Sequence, residues 1–169
     1  MEVYLSYEEF RTGGDAHDPE DRWTSYDDEY INFTPKNLFL NRDSAGIWVE
    51  TIETNETFNR GDTAHLVVIR YGSGNTFIHT EGNWVIDGLY KDPKVATQIA
   101  ENIRSDAEYE EELGFYNRWG KNSNTMTKPK EPKGYPNYPG VTSYWAGYKP
   151  WDGYFESFGG AEVYTLLVQ

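Results

Sequence analysis

Leu66-Val67-Val68-Ile69 lies between Arg60-Gly61-Asp62 and Gly72-Ser73-Gly74-Asn75, and this framing decides the fold class. An unbroken run of aliphatic, mostly β-branched residues closed on both sides by turn formers predicts a central strand followed by a turn. Downstream, Thr76 to Thr80 and Trp84 to Tyr90 resume strand chemistry around Glu81-Gly82-Asn83, so residues 64–90 read as a three-stranded antiparallel meander. Asp92-Pro93 then supplies an N-cap and a first-turn proline. Val95, Ala96, Ile99, Ala100 and Ile103 follow at helical spacing, which predicts a helix over one face of the sheet. Ser105 and Glu108 have capping-box spacing and predict a second short helix through Leu113, with Glu110-Glu111-Glu112 as its solvated face and Gly114 as its stop.

Outward from this middle, Glu2 to Tyr7 reads as a strand and Thr12 to Asp28 as an exposed loop. Ile31 to Leu40 and Gly46 to Ile52 read as further strands, the latter with Ile47, Val49 and Thr51 on one side and Trp48, Glu50 and Ile52 on the other. Arg118 to Lys133 is basic and rich in Pro, Asn and Thr, as expected of a mobile loop. Gly134 to Gly160 packs aromatics among glycines and prolines. Glu162 to Val168 closes as a strand beside residues 66–71. The expectation is a single α+β domain, an antiparallel sheet of about five strands covered on one face by a helix, with long acidic and aromatic-rich loops. Its parts are an acidic front (1–62), a β-meander plus helices (63–116), a basic then aromatic loop (117–161) and the closing strand (162–169).

Charge is unevenly divided along the 169 residues: residues 1–62 hold 15 acidic against 5 basic side chains, and residues 63–169 hold 13 against 10. The net charge of −13 opposes direct contact with nucleic acid phosphates and favours a basic partner. The chain has no cysteine, which excludes disulfides, thiolate zinc sites and cysteine nucleophiles and permits a reducing compartment. The opening MEVYLSYEEF has acids where a secretory signal carries Lys or Arg, and no apolar stretch is long enough to span a membrane. The reading is therefore a cytoplasmic protein without a membrane partner.

Catalytic motifs are weak. The three histidines are His17, His65 and His79. If the strands carrying His65 and His79 pair across the Gly72 to Asn75 turn, the two rings and Glu81 form a weak candidate metal set for a hydrolase. Asp15, Asp18 and Asp21, with Glu20 between them, offer hard oxygen ligands but not the order of an EF-hand, and no cofactor is read from the sequence. Gly72-Ser73-Gly74 is read as a hairpin turn and not a phosphate cradle, because no helix follows it. The aromatic tail is a second binding candidate. Tyr144, Trp145, Tyr148, Trp151 and Tyr154 alternate with small residues and suit a ring-lined groove.

The segments Val67-Val68-Ile69-Arg70-Tyr71-Gly72, Gly74-Asn75-Thr76-Phe77, Tyr90-Lys91-Asp92 and Trp151-Asp152-Gly153-Tyr154-Phe155-Glu156-Ser157 resemble small, mostly uncharacterised accessory proteins of tailed bacteriophages. Those proteins usually show Gly-Asp where this chain has Gly74-Asn75. The resemblance covers residues 64–92 and 149–169 and implies a role in the host cytoplasm during infection, where such proteins block host machinery or bacterial immunity. It transfers no active-site residue. The leading expectation is a non-enzymatic protein that binds and inhibits a basic host protein through Asp15, Asp18, Glu20, Asp21, Asp27, Asp28 and Glu29, with Trp23 and Tyr26 as anchors. The alternative is capture of a nucleotide-like small molecule by the aromatic tail, with Arg70 on its phosphates. A metal-dependent hydrolase is the third reading, and an open edge strand also allows two copies to pair.

Overall fold

Backbone ladders on both sides of the Leu66 to Ile69 run organise the molecule. The computed structural model describes residues 1–12, 29–75, 79–136 and 154–169. Among the described residues six strands form, β1 (Glu2–Thr12), β2 (Glu29–Phe39), β3 (Val49–Glu53), β4 (Thr63–Asn75), β5 (His79–Tyr90) and β6 (Tyr154–Leu167), with one α-helix, α1 (Pro93–Phe115), between β5 and β6 and a short 3-10 turn at Arg42–Ser44. Their order across the sheet is β3-β1-β2-β5-β4-β6. All pairings are antiparallel except β2 with β5, which meet in parallel only at Glu29 with Glu81 and Tyr30 with Gly82. The molecule is thus α+β, built from two three-stranded antiparallel halves joined by a narrow seam. At the far end of β2, a single parallel bridge joins Leu38 to Val168, and Gln169 donates its N–H to the Leu38 carbonyl at 2.8 Å.

β4 is buried on both faces, which explains why its apolar run is continuous instead of alternating. Leu66 and Val68 pack with Val3, Leu5, Phe33, Leu38 and Ile52 of the other half, forming the core between the two sheets. Val67 and Ile69 turn to the opposite side and pack with Ala96, Ala100, Ile103 and Ala107 of α1. The helix starts as its sequence dictates. Asp92 Oδ1 accepts from the Lys94 N–H at 2.8 Å, and Pro93 occupies the first turn. The small alanines let the helix axis approach the sheet closely, while Val95 remains exposed.

Several expectations are corrected. Among the described residues the sheet has six strands, not about five, and the second layer over β4 is the β3-β1-β2 half, which sequence reading did not anticipate. In place of the three-stranded meander over 64–90, the described residues form two strands, β4 and β5, paired out to Asn75 with His79. Gly72-Ser73-Gly74-Asn75 is therefore not a turn but the end of β4, and Glu81-Gly82-Asn83 continues β5. Glycine in extended conformation needs no turn, and Gly72 is fixed there by ladders to Gly82 on one side and Ser157 on the other. The second helix does not start at Ser105. The apolar stripe continues through Ala107, so α1 runs unbroken to Phe115 and passes into a π-helical turn, Tyr116–Gly120. The strand expected from Gly46 shortens to Val49–Glu53 and leaves Ile47 95% exposed. The closing strand begins at Tyr154 instead of residue 162, and residues 121–136 have no regular structure.

β6 is an edge strand whose exposed backbone is fastened by the helix. The Arg104 guanidinium donates to the Ala161 carbonyl at 2.8 and 3.1 Å, and Glu111 accepts from the Phe158 N–H at 3.0 Å. Between these points a bulge shifts the register, from Arg70 opposite Gly160 to Tyr71 opposite Phe158. Gly160 sits there at φ +148°, and a Cβ on Gly159 would lie 3.1 Å from the Arg70 carbonyl oxygen. Gly160→Ala is expected to cost about 1–3 kcal/mol through backbone strain, read as a lower urea midpoint with an unchanged m-value. An unchanged midpoint would mean that the bulge does not require glycine.

Candidate functional site

The two halves part on one side, between β3 and β5, and leave a cleft of about 360 Å³ lined by Glu50, Ile52, Glu53, Trp84, Ile86 and Asp87 among others. Its floor follows from the strand periodicity, because Ile52, Trp84 and Ile86 all belong to or pack against the core between the sheets. Trp84 stacks on Phe33 at 3.9 Å between centroids, and Tyr7 meets both rings edge-on or tilted at 5.4 and 5.2 Å. Tyr7 also contacts Trp48 at 6.2 Å, so the aromatic cluster runs from the cleft floor out to a tryptophan that is 59% exposed. Carboxylates frame it. Glu9 accepts from the Trp84 indole N–H at 3.1 Å, and the Tyr7 hydroxyl is pushed above its ordinary pKa by burial, with Glu9 and Glu50 adding to the effect.

Asp87 owes its place to a second bulge. The register passes from Val67 opposite Gly88 to Val68 opposite Ile86, which leaves Asp87 as the extra residue. Its Oδ2 accepts from the Tyr90 hydroxyl at 3.1 Å, and the Tyr90 ring lies over Gly88, where a Cβ would meet it within 2.9 Å of Cζ. Burial pushes the Asp87 carboxyl above the usual aspartate range, more than the Tyr90 hydrogen bond lowers it. The folded protein therefore binds this proton more tightly than the unfolded chain. The associated stability is full below the ordinary aspartate pKa and is lost as pH rises through the raised value. Asp87→Asn is expected to be more stable than the parent at pH 7 and indistinguishable from it at pH 3 in urea titrations. A penalty at pH 7 would show that the charge is not destabilising.

Arg70, nominated for ligand phosphates, is already engaged. It bonds Glu162 at 2.9 Å, the Tyr164 hydroxyl at 2.7 Å and the Phe33 carbonyl at 3.0 Å, tying β4 and β6 to β2. Partial burial alone would raise the Glu162 pKa, but the hydrogen bonds from Tyr164 and Arg70 outweigh it and lower the net value. Glu162 thus has the opposite sign to Asp87. Its contribution is present above the ordinary glutamate pKa and is lost as pH falls through the depressed value.

His65 and His79 do not form a metal set. His65 lies opposite Tyr90 and His79 opposite Asn75, about ten residues or roughly 33 Å apart along the ladder. The expected approach fails because Gly72 to Asn75 are themselves paired in the ladder, Gly72 with Gly82 and Asn75 with His79, so the strands do not reverse across them. The buried His65 ring instead meets the Thr165 hydroxyl through Nδ1 at 3.1 Å. Among the described residues no group of three His, Asp or Glu is placed to hold a metal. No described helix is long and apolar enough to cross a membrane.

Asp15, Asp18, Glu20, Asp21, Trp23, Tyr26, Asp27 and Asp28 lie outside the described residues, as do Tyr144, Trp145, Tyr148 and Trp151. Glu29 opens β2 next to Glu81 of β5, and Tyr154 opens β6 opposite Asn75. The strand ends that carry the acidic and the aromatic segments therefore belong to the same end of the sheet. Sequence reading missed Glu50, Glu53, Asp87, Trp48 and Trp84 as a group. The available signal was the pair of carboxylates on β3 flanking Ile52, next to an exposed Ile47-Trp48. No family model matches the chain, and neither the curated proteins nor the solved structures return a match.

Proposed function

We propose that this chain is a non-catalytic phage accessory protein that binds and inhibits a basic host protein through its acidic front. A component of bacterial anti-phage defence is the target class that fits the phage resemblance. The observation that supports this reading most directly is the cleft beside β3. Glu50, Glu53 and Asp87 frame an aromatic and aliphatic floor, and the exposed Trp48 stands at the other end of the same aromatic cluster. Carboxylates steer a basic surface over distances of about a Debye length, while desolvated aromatics supply affinity that charge alone does not. The excess of 15 acidic over 5 basic residues in positions 1–62 extends the same field.

The test is capture of a partner from infected cells by the parent chain and by two charge-reversed forms, Glu50→Lys with Glu53→Lys, and a second form reversing Asp15, Asp18, Glu20 and Asp21. The expected result is one stoichiometric partner with a basic surface, released by raised salt and lost from both reversed forms. Each form should keep the parent far-ultraviolet circular dichroism. Undiminished capture and inhibition by both forms would remove the acidic-front reading.

A further inference from the structure

Strand β3 presents an unused hydrogen-bonding edge to the acidic cleft. Thr54 donates its N–H to the Met1 carbonyl at 2.9 Å and Tyr7 donates to the Trp48 carbonyl at 3.2 Å. These bonds fix the alternation of the β1–β3 ladder, so that Val3 with Ile52 and Leu5 with Glu50 are its hydrogen-bonded pairs. Val49, Thr51 and Glu53 fall between them and direct their N–H and C=O groups away from β1. Among the described residues no backbone group pairs with that edge. Across the cleft lies Trp84 to Gly88 of β5, past the point where the β2 seam ends at Gly82.

We propose that this edge receives an extended, basic segment of the partner protein as an added β-strand. The proposal rests on the acidic-front reading above and names the form in which the partner binds. The edge supplies register through the outward groups of Thr51 and Glu53, and the cleft supplies selectivity. An added strand beside β3 places one side chain next to Ile52, its immediate neighbours on the opposite face next to Thr51 and Glu53, and the residue two positions on, back on the Ile52 face, next to Glu50. The matching sequence sets an apolar residue opposite Ile52 and Lys or Arg opposite Glu53 and Glu50, one position to one side of it and two positions to the other. Pairing between two copies of β3 is disfavoured on the same grounds, because it crowds the Glu50 and Glu53 carboxylates of both chains together. Charge therefore selects a basic occupant over a second copy.

The experiment uses the full chain and an acetylated, amidated heptapeptide of sequence Thr-Lys-Val-Thr-Lys-Val-Thr, which in antiparallel register sets its first valine opposite Ile52 and its lysines opposite Glu53 and Glu50. Its control is the same peptide N-methylated at alternate residues, which keeps charge and side chains but cannot pair. Calorimetry and amide hydrogen exchange are the readouts. The unmodified peptide is expected to bind with salt-sensitive affinity and to slow exchange at Thr51 and Glu53 at least tenfold. The N-methylated peptide should bind at least tenfold more weakly. Thr51→Pro removes one outward N–H without touching the β1 ladder and should lose binding of the unmodified peptide. Should that variant fail to fold, the peptide pair on the parent chain decides alone. Equal binding of both peptides without exchange protection would overturn strand addition while leaving the acidic surface intact. No binding of either peptide would also overturn it, and the acidic-front reading would then be judged by partner capture with the Glu50 and Glu53 reversals.

Discussion

Leu66→Ala is expected to lower the unfolding free energy by about 3 kcal/mol, and Ile69→Ala to do the same, although the two side chains leave β4 in opposite directions. Leu66 is fully buried in the core between the sheets and Ile69 is 1% exposed in the core beneath α1. Each truncation removes several methyl or methylene groups and leaves a cavity that a strand paired on both sides cannot close. For a chain of this size the loss corresponds to a melting-temperature decrease of about 6–12 °C. If only the helix covered the sheet, Leu66 would face solvent and its truncation would cost little. A cost below about 1 kcal/mol for Leu66→Ala would refute packing of the β3-β1-β2 sheet against β4.

The second large effect is at Arg70. Arg70→Ala is expected to cost about 2 kcal/mol, most of it from groups left without a donor. The guanidinium holds the Phe33 carbonyl and the Tyr164 hydroxyl, while Glu162 is half exposed and screened by water. A double-mutant cycle separates the two contributions. Coupling of Arg70 to Glu162 is expected to be about 1 kcal/mol or less, whereas coupling to Tyr164 should be the larger. The reverse order would place the stabilisation in the ion pair. Lys at this position should not restore stability, because one ammonium cannot reach three acceptors from the guanidinium's planar geometry.

Legibility in the sequence followed the physics of each element. The helix start at Asp92-Pro93 was readable because capping is local, and β4 was readable because a strand buried on both faces has no polar alternation to obscure it. Glycine misled in both strands of the hairpin. Gly72 and Gly82 are turn formers when read alone, but they lie opposite each other in the β4–β5 ladder, and Gly72 is also paired with Ser157 of β6, far away in the sequence. The second sheet was hidden for a similar reason. β1, β2 and β3 were each partly visible as strands, yet nothing local says that Val3, Leu5 and Phe33 pack on Leu66 and Val68. The candidate site was the least legible part. Asp87 reaches the cleft through a bulge, and Glu50 gains meaning only when β5 lies opposite.

The position of β6 also bears on how the molecule assembles during synthesis. β4 carries the most continuous apolar run, and the strand that completes its outer edge holds Thr165, 100 residues away from His65 in the chain. The hairpin with β5 and the cover of α1 form from neighbouring sequence, whereas the outer edge of β4 stays open until β6 emerges. Contacts of such long range slow folding, and an apolar strand with a bare edge is a template for pairing with other chains in the meantime. Crowded expression should therefore favour aggregation of nascent chains over that of the finished protein, and slower translation or lower temperature should raise the soluble yield without changing the stability of the product.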